Sequence, residues 1–433
     1  MSDFHTGAVL YHKTLRACKR RGAHYDARMR ILAILLSALV GLAAAPSGYF
    51  HVEKVDGRWW LIAPDGQRTI SKGVTTVQFA QDNIQGTKRS PYGETNRAKY
   101  GTREKWRETA ARRLIGWGFN TLGAWSDDKL AEIEVGGKRL AYAPNVDLGA
   151  SFVWNRGDAW LHGHFPDVFD PEFEKAARKR AADHCSAHKN DPALLGWFSD
   201  NELRWGADWR SKDELLTTFL AFSTNAPGRA AAAALMRERH GADAATVKPT
   251  KEDCDAFLER LAENYFRITT EAIRAADPNH LVFGCRFAVV PRTPVIAAAA
   301  KYLNAISFNN YNHDPRSTIE RYAAFGKPVI ITECAFRGDD SGLPNTKGAG
   351  PRVKTQAERA AAYKKYVTSA LNHPSFIGYH WFEHADEPKE GRFDGENSNY
   401  GLVNIKDEVY EDLTRAMTEL NAQAETIHAG SKP

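Results

Sequence analysis

Short apolar segments alternate with longer amphipathic segments along most of the chain, and this alternation sets the expected architecture. Eight apolar segments are predicted as strands, over residues 69–75, 120–124, 140–146, 194–198, 281–285, 305–308, 328–332 and 376–381. Four intervening segments carry the start and stop signals of helices, over residues 102–117, 171–188, 251–276 and 355–372. Strand and helix repeated in this way predict an α/β protein with a (β/α)8 TIM barrel.

The segment before the first of these strands has a different pattern. Residues 48–74 alternate apolar and polar positions, and Asp56-Gly57 and Asp65-Gly66 mark two tight turns. We therefore expect a short β-meander ahead of the barrel. The alternative is an open doubly wound sheet, which usually has a Gly-rich nucleotide-binding turn after its first strand; the segment after Val74 lacks one. The Ala-rich region 225–250 is expected to add helical structure between the fourth and fifth strands.

The N-terminal segment predicts export. Two arginines flank Met29, and an apolar run over residues 31–45 ends in three alanines before Pro46. This order is typical of a secretory signal peptide, and the run is shorter than the about 20 residues of a membrane span. Residues 1–45 are interpreted as an upstream leader plus signal peptide, with Met29 as the true start, although a buried helix or an uncleaved anchor remains open. The expected mature protein is one catalytic domain over residues 46–433, secreted or periplasmic.

Composition narrows the set of partners. The chain has 433 residues and a formal charge of +5, with no basic patch or charged tail, so nucleic acid is not an expected partner. Eleven tryptophans suit a carbohydrate cleft, because sugar rings stack on aromatic faces, and they equally suit a large aromatic core. The cysteines show no paired spacing. Cys185, Cys254, Cys285 and Cys334 are expected mostly as buried free thiols, although export would permit bridges.

No metal or cofactor is expected. The pair His162 and His164 resembles a metal-binding pair, but no third ligand has a suggestive spacing, and sugar contact or loop structure is the preferred interpretation. The Gly-rich segment 342–350 lacks the order of a phosphate-binding loop. No GxSxG turn is present, which argues against a serine esterase.

Two acids lie where catalytic groups of a barrel are found, at the carboxyl ends of strands. The fourth predicted strand runs into Asp200, Asn201 and Glu202, and the seventh runs into Glu333. Glycoside hydrolysis requires two carboxyl groups, one donating a proton to the leaving oxygen and the other acting as nucleophile or base. Either glutamate alone could be an ordinary loop acid, but the two together favour a glycosidase.

The residues around these acids resemble a known family. The Asn-Glu pair after the fourth strand and the lone Glu after the seventh resemble glycoside hydrolase clan A. The flanking segments are similar to the family 50 β-agarases, over residues 196–206 (GWFSDNELRWG), 331–350 (ITECAFRGDDSGLPNTKGAG), 378–388 (GYHWFEHADEP) and 391–401 (GRFDGENSNYG). The resemblance covers most of the mature chain. The family usually has an N-terminal sugar-binding-like domain, which is not expected in this chain.

The resemblance implies roles for individual residues. Glu202 is expected as the acid/base and Glu333 as the nucleophile of a retaining hydrolase, with Tyr311 hydrogen-bonded to the nucleophile. From their positions at strand ends, Trp381 is expected as the platform under the sugar and Arg286 as a group that orients Glu333. The remaining predicted substrate contacts are Asn201, Asn309, His313, Glu383, Trp125 and His164. Packing or loop structure is an equal alternative for each.

The expected function is therefore cleavage of β-galactosidic linkages in agarose-type polysaccharide or its oligosaccharides, with a carbohydrate as the one expected partner. An exo-β-galactosidase or another clan A β-glycanase remains an alternative within enzymes. A catalytically silent carbohydrate-binding barrel is the alternative from a different class. Linkage, exo or endo action and oligomeric state are not fixed by the sequence.

Overall fold

The computed structural model describes residues 48–155 and 163–430. The chain divides into two compact units, Met1–Ser47 and Gly48–Pro433, and the account below concerns the second. The predicted leader and signal peptide, the predicted start at Met29, Cys18 and His162 lie outside the described residues. Within the described part of the chain, no helix combines the length and the apolar character needed to cross a bilayer.

Parallel strands form the centre of the fold. Their bounds are β4 Ser71–Val74, β5 Thr121–Leu122, β6 Ala141–Tyr142, β7 Gly196–Phe198, β8 Leu281–Gly284, β9 Ile306–Asn309, β10 Val329–Cys334 and β13 Phe376–Trp381. Six of them make one sheet in the order β6-β5-β4-β13-β10-β9, and β7 pairs in parallel with β8. Isolated parallel bridges join Tyr142 of β6 to Leu194 ahead of β7, and Phe287 after β8 to Phe308 of β9.

Each of the eight predicted segments overlaps one of these strands, with β9 extending one residue and β10 two residues past the predicted end, so the α/β class and the parallel arrangement are confirmed. The observed strands are mostly shorter than the apolar segments, because the segments continue into buried loops beyond the last ladder hydrogen bond. Two short strands that the pattern did not predict, β11 Arg337–Gly338 and β12 Arg352–Val353, form a parallel pair beyond β10.

The predicted meander is also confirmed. Strands β1 His51–Val55, β2 Arg58–Ile62 and β3 Arg68–Thr69 form an antiparallel sheet. Leu61 of β2 belongs to the same buried cluster as Ile330 and Ile377, which lie near the starts of β10 and β13. The meander therefore packs against the amino ends of the parallel strands and leaves their carboxyl ends for the site.

Helices connect the parallel strands and cover them with apolar stripes. The longest, Lys251–Ala276, begins with a capping box between Thr250 and Asp253 and buries Phe257, Leu261 and Tyr265 at helical spacing. The helices are Pro91–Tyr100, Arg103–Gly116, Leu148–Trp154, Pro171–Cys185, Leu215–Leu220, Pro227–His240, Lys251–Ala276, Thr293–Tyr302, Arg316–Ala323, Gln356–Leu371, Glu411–Asn421 and Ala424–His428. Short 3-10 turns occupy Asp128–Glu132, Ser186–His188, Gly241–Ala245 and Asp339–Ser341.

The helix predictions hold to within a few residues, and the Ala-rich region does contain a helix, Pro227–His240. The four cysteines of the described region, Cys185, Cys254, Cys285 and Cys334, are free and buried, as expected.

Candidate active site

Glu202 and Glu333 both follow parallel strands at the same end of the fold. Glu333 lies within β10, and Glu202 follows β7 by four residues. Asn309, at the end of β9, stands between them and donates a hydrogen bond of 2.7 Å from its Nδ2 to Oε1 of Glu202. The charge of Glu333 is one cause of the raised pKa of Glu202, so the two carboxyl groups are close enough to interact.

Glu333 has a separate donor on each carboxylate oxygen. Arg286 donates from Nη2 to Oε1 at 2.8 Å, and the hydroxyl of Tyr311 donates to Oε2 at 2.6 Å. The Arg286 side chain is fully buried, so little water screens this ion pair. Two donors on opposite oxygens fix the plane of the carboxyl group.

Arg286 is itself held in place. Its Nη2 also donates to the carbonyl of Thr332 at 3.0 Å, and its guanidinium lies 4.4 Å from the ring centre of Trp125. A guanidinium over an indole face gains a cation–π contact that is strongest where water is excluded. Trp125 therefore supports Arg286, and Arg286 in turn orients Glu333.

Glu202 has the opposite environment. Burial, and then the charge of Glu333, raise its pKa to about 8, while the hydrogen bond from Asn309 and the charges of Arg286 and Arg210 oppose the shift. Its carboxyl group is therefore mostly protonated at neutral pH. One strand end thus carries a carboxyl group with a raised pKa, and the other carries a carboxyl group with a donor on each oxygen.

The backbone is left-handed at the ends of five successive parallel strands, β4 to β8. The residues concerned are Thr76, Trp125, Asp147, Glu202 and Arg286, with φ between 47° and 61°. Non-glycine residues rarely adopt this conformation, and such outliers cluster at functional sites. Three of the five are site residues that the sequence predicted.

The structure brings together five of the predicted site residues besides the two glutamates. Asn309, Arg286, Tyr311 and Trp125 make the contacts described above. Asn201 is half-buried, and its Oδ1 lies 3.4 Å from Nδ2 of Asn309. His164 and His313 are exposed; His313 makes no hydrogen bond to either glutamate, and His164 borders the undescribed residues 156–162.

Two predicted contacts are corrected. Trp381 is fully buried, and its indole N–H donates to the carbonyl of Tyr400 at 2.8 Å. That position in the core contradicts its predicted role as a platform under the sugar. Glu383 is also fully buried, beside Asp82 and Arg392, so it does not offer its carboxyl group to a ligand in this structure.

Sequence reasoning missed two groups that hold the turn carrying Glu202. Asp200 is fully buried and accepts hydrogen bonds from the backbone N–H groups of Gly149 and Ala150, at 2.9 and 2.8 Å, and from the hydroxyl of Tyr265. Burial raises the pKa of Asp200 to about 7. Arg210 donates to the carbonyl of Glu202 at 2.8 Å. An acid in an apolar segment was the available signal for Asp200; nothing local marks Arg210.

A second charged group lies beyond β13. Arg392 forms ion pairs with Glu387, Asp394 and Glu396, at 2.9, 3.0 and 2.8 Å. The charge of Glu333 contributes to the raised pKa of Glu396, so this loop lies beside the nucleophile candidate. In residues 48–155 and 163–430, no group of three or more His, Cys, Asp and Glu side chains is arranged to hold a metal ion.

The chain is similar in sequence and in fold to proteins named as β-agarases. No family model matches the chain. β-Agarase B of Vibrio sp. (strain JT0107) is 29% identical over an alignment of 468 positions. The alignment covers 87% of this chain and 48% of the relative. The chain is homologous to β-agarases. They are glycoside hydrolases, and this chain spans about half the length of the curated relatives it matches.

Two solved structures of agarases agree with this homology. An exo-β-agarase superposes with a TM-score of 0.77 at 26% identity, covering 91% of this chain and 67% of that one. The agarase AgWH50C superposes with a TM-score of 0.74 at 28% identity, covering 88% of this chain and 64% of that one. The α/β fold with its parallel sheet is therefore that of the agarases.

Proposed function

We propose that this chain is a retaining glycoside hydrolase that cleaves β-galactosidic linkages in agarose-type polysaccharide or its oligosaccharides. The observation that carries the proposal is the contrast between the two carboxyl groups. Burial raises the pKa of Glu202 to about 8, whereas Arg286 and Tyr311 each donate to one oxygen of Glu333 and orient its carboxyl group. Pairs of acids whose environments separate their protonation states are how a glycosidase assigns acid and nucleophile.

The first step uses both groups at once. Glu202 donates its proton to the glycosidic oxygen while a carboxylate oxygen of Glu333 attacks the anomeric carbon. The bond from that carbon to the leaving oxygen breaks, which leaves a sugar ester on Glu333 and an ionised Glu202. In the second step Glu202 takes a proton from water, the water oxygen attacks the anomeric carbon, and Glu333 departs as a carboxylate.

The scaffold of this proposal is a closed (β/α)8 barrel. The six-stranded sheet ends at β6 and β9, and the β7–β8 pair has parallel bridges to both of those ends, through Tyr142–Leu194 and Phe287–Phe308. Closure would bring the carboxyl ends of all eight strands around one opening, where catalytic groups of such barrels lie.

Agarose-type substrates are supported by the homologous β-agarases and by the predicted export, because a polysaccharide is met outside the cytoplasm. The alternatives of an exo-β-galactosidase, a mannan-type hydrolase or a silent binding protein are separated by one substrate panel. Agarose, neoagaro-oligosaccharides, an aryl β-galactoside and mannan would be incubated with the chain, and products followed by chromatography. Release of neoagaro-oligosaccharides from agarose is expected; glycan binding without any product would refute the proposal.

The roles of the two glutamates are tested by azide rescue. Glu202→Ala and Glu333→Ala are both expected to lose nearly all turnover. Rescue of Glu202→Ala by azide is expected to give a β-glycosyl azide, whereas rescue of Glu333→Ala is expected to give the α-azide, because azide then replaces the nucleophile. Glu108→Ala, at an exposed helical position, is the matched control and should keep full activity. Full activity in either site variant would contradict the assignment.

A further inference from the structure

His380, on β13, is a fully buried histidine that no step of the proposed mechanism uses. Its imidazole lies against two neighbouring strands at positions where both have glycine. A Cβ at Gly73 of β4 would overlap Cδ2 of the imidazole, and a Cβ at Gly123, just after β5, would lie 3.1 Å from its Nδ1. The backbone around the ring therefore leaves space for it and fixes its position.

A chain of hydrogen bonds determines which ring nitrogen carries the hydrogen. The backbone N–H of Lys72 donates to Oδ1 of Asn120 at 2.8 Å, so this oxygen is an acceptor, and the hydroxyl of Thr121 donates to it at 2.9 Å. A hydroxyl has a single hydrogen. The hydroxyl of Ser71 must therefore donate to Thr121, at 2.9 Å, and Nε2 of His380 must donate to Ser71, at 3.0 Å. The imidazole is thus the Nε2–H tautomer, and its Nδ1 has a free lone pair.

The imidazole is also uncharged. Burial, and then the charge of Arg286, lower the pKa of His380 to about 3. Its Nδ1 is therefore an acceptor at neutral pH. This atom is completely buried and has no hydrogen-bond partner among the described residues. A buried acceptor costs free energy unless a donor satisfies it, so a donor is expected nearby.

Arg286 has the complementary donors. Its Nη2 donates to Glu333 and to the carbonyl of Thr332, whereas Nε and Nη1 are buried without a partner in the part of the chain that the structure describes. The guanidinium lies 5.3 Å from the ring centre of Phe198, and the imidazole centre lies 6.3 Å from the same point. Unpaired donors and an unpaired acceptor therefore lie around one aromatic ring.

We propose that His380 is a positioning residue for Arg286 and is linked to it by one bound water molecule. The water accepts a hydrogen bond from a free guanidinium N–H and donates one to Nδ1 of His380. Buried waters typically make about three hydrogen bonds to polar groups that would otherwise be unpaired. The link fixes the plane of the guanidinium, and with it the hydrogen bond from Nη2 to Glu333. The effect on turnover rests on the proposed function; the tautomer and the water do not.

The tautomer is tested without any substrate. Long-range ¹H–¹⁵N spectra of the ¹⁵N-labelled chain distinguish the two ring nitrogens, and the His380 signals are assigned by their absence in His380→Asn. We expect hydrogen on Nε2, none on Nδ1, and no titration between about pH 5 and about pH 8, where an ordinary histidine takes up a proton. The opposite tautomer, or a ring that titrates in this range, would overturn the inference.

The bound water is tested by a high-resolution crystal structure of the unaltered chain. It should show a water within hydrogen-bond distance of both Nδ1 of His380 and the Arg286 guanidinium. A site without water, or a water that reaches only one of the two side chains, would contradict the link.

The effect on turnover is tested with two substitutions of nearly equal shape. His380→Asn retains an acceptor oxygen close to the position of Nδ1, whereas His380→Leu has no acceptor. Both would be assayed for kcat and KM on the oligosaccharide that the unaltered chain hydrolyses. We expect His380→Leu to lower kcat about tenfold or more with KM changed less than about twofold, and His380→Asn to keep kcat within about threefold. Equal losses of kcat would mean that His380 only fills space.

A second pair of substitutions leaves His380 unchanged. Thr121→Val removes the acceptor of the Ser71 hydroxyl, whose other partner is Nε2 of His380. The ring hydrogen should therefore move to Nδ1, and kcat should fall about tenfold. Thr121→Ser keeps the hydroxyl and should resemble the unaltered chain. An unchanged tautomer in Thr121→Val would refute the hydrogen-bond chain, and a changed tautomer with an unchanged kcat would refute the positioning role.

Failure of the proposed function would be distinguishable from failure of this inference. If the unaltered chain hydrolyses none of the glycans, the proposed function is refuted. The spectra and the crystal structure would still decide whether His380 has the inferred tautomer and shares a water with Arg286.

Discussion

Replacing Glu333 by Gln should lower the pKa of Glu202, because it removes a negative charge that resists ionisation of its neighbour. The pKa of Glu202 stands at about 8, and the charge of Glu333 is its second cause after burial. Gln keeps the shape of the side chain and lets Tyr311 and Arg286 retain their positions. The substitution therefore isolates the charge.

The magnitude follows from the separation of the two groups. At the about 5.5 Å typical of retaining glycosidases, two unit charges interact by about 3 kcal/mol at an effective dielectric constant of about 20, which corresponds to about 2 pKa units. Arg286 and Tyr311 offset part of the charge of Glu333, so we expect a decrease of about 1 to 2 units. Burial persists in the variant, so the pKa should stay above the ordinary value for a glutamate.

The measurement is a pH titration by NMR with ¹³C-labelled glutamate carboxyl groups. The Glu202 resonance is assigned by its absence in Glu202→Gln, and Glu396→Gln is the control that removes a nearby acid without a resolved influence on Glu202. An unchanged or higher pKa in Glu333→Gln would refute the electrostatic reasoning. A lower pKa of Glu202 in this variant would also bear on the mechanism. In the proposed reaction, the sugar ester on Glu333 removes the same negative charge and would thereby prepare Glu202 to act as a base.

Three further substitutions test the environment of the pair. Tyr311→Phe removes the 2.6 Å hydrogen bond to Glu333 and should lower kcat/KM about 10- to 100-fold, since a hydrogen bond to a charged group contributes about 1.5–3 kcal/mol; an unchanged kcat/KM would contradict the role. Arg286→Met removes the cation paired with the buried Glu333 and should lower the free energy of unfolding, measured by chemical denaturation, by about 3–5 kcal/mol. The double variant Arg286→Met with Glu333→Leu should recover part of that loss. Asn309→Ala removes a bond that favours the ionised form of Glu202, so its pKa should rise and the alkaline limb of the pH–rate profile should move to higher pH; a shift to lower pH would exclude this reading of the contact.

The strands and helices could be predicted from the sequence where their apolar pattern and end signals lie within the element itself. Each predicted strand was an apolar run bounded by turn residues, and the helix Lys251–Ala276 matches its predicted bounds because its capping box and the Asp277-Pro278 stop lie in the sequence itself. The pair β11 and β12 has only two residues in each strand and no pattern to recognise.

The residues of the candidate active site also differ in how far the sequence predicts them. Glu202, Glu333 and Arg286 were predicted from their positions at strand ends, and the contact of Tyr311 with Glu333 from the resemblance to glycoside hydrolase clan A. The structure joins Glu333, Tyr311 and Arg286 by hydrogen bonds. The error at Trp381 arose because a strand-end position does not tell which way a side chain turns. The contact of Arg210 with Glu202 depends on how a loop folds back, which no local pattern encodes.

The left-handed backbone conformation of the residues at the ends of β4 to β8 affects how variants of this chain should be selected. Each non-glycine residue in this conformation costs about 1 kcal/mol relative to an ordinary backbone, so five of them amount to about 5 kcal/mol, a large fraction of the 5–15 kcal/mol by which domains are typically stable. Selection for heat resistance alone would be expected to favour glycine at Thr76 or Glu202, and the change at Glu202 would give a more stable protein with lost turnover. Screens for heat-resistant variants of this chain should therefore measure catalytic activity in the same round as the melting temperature.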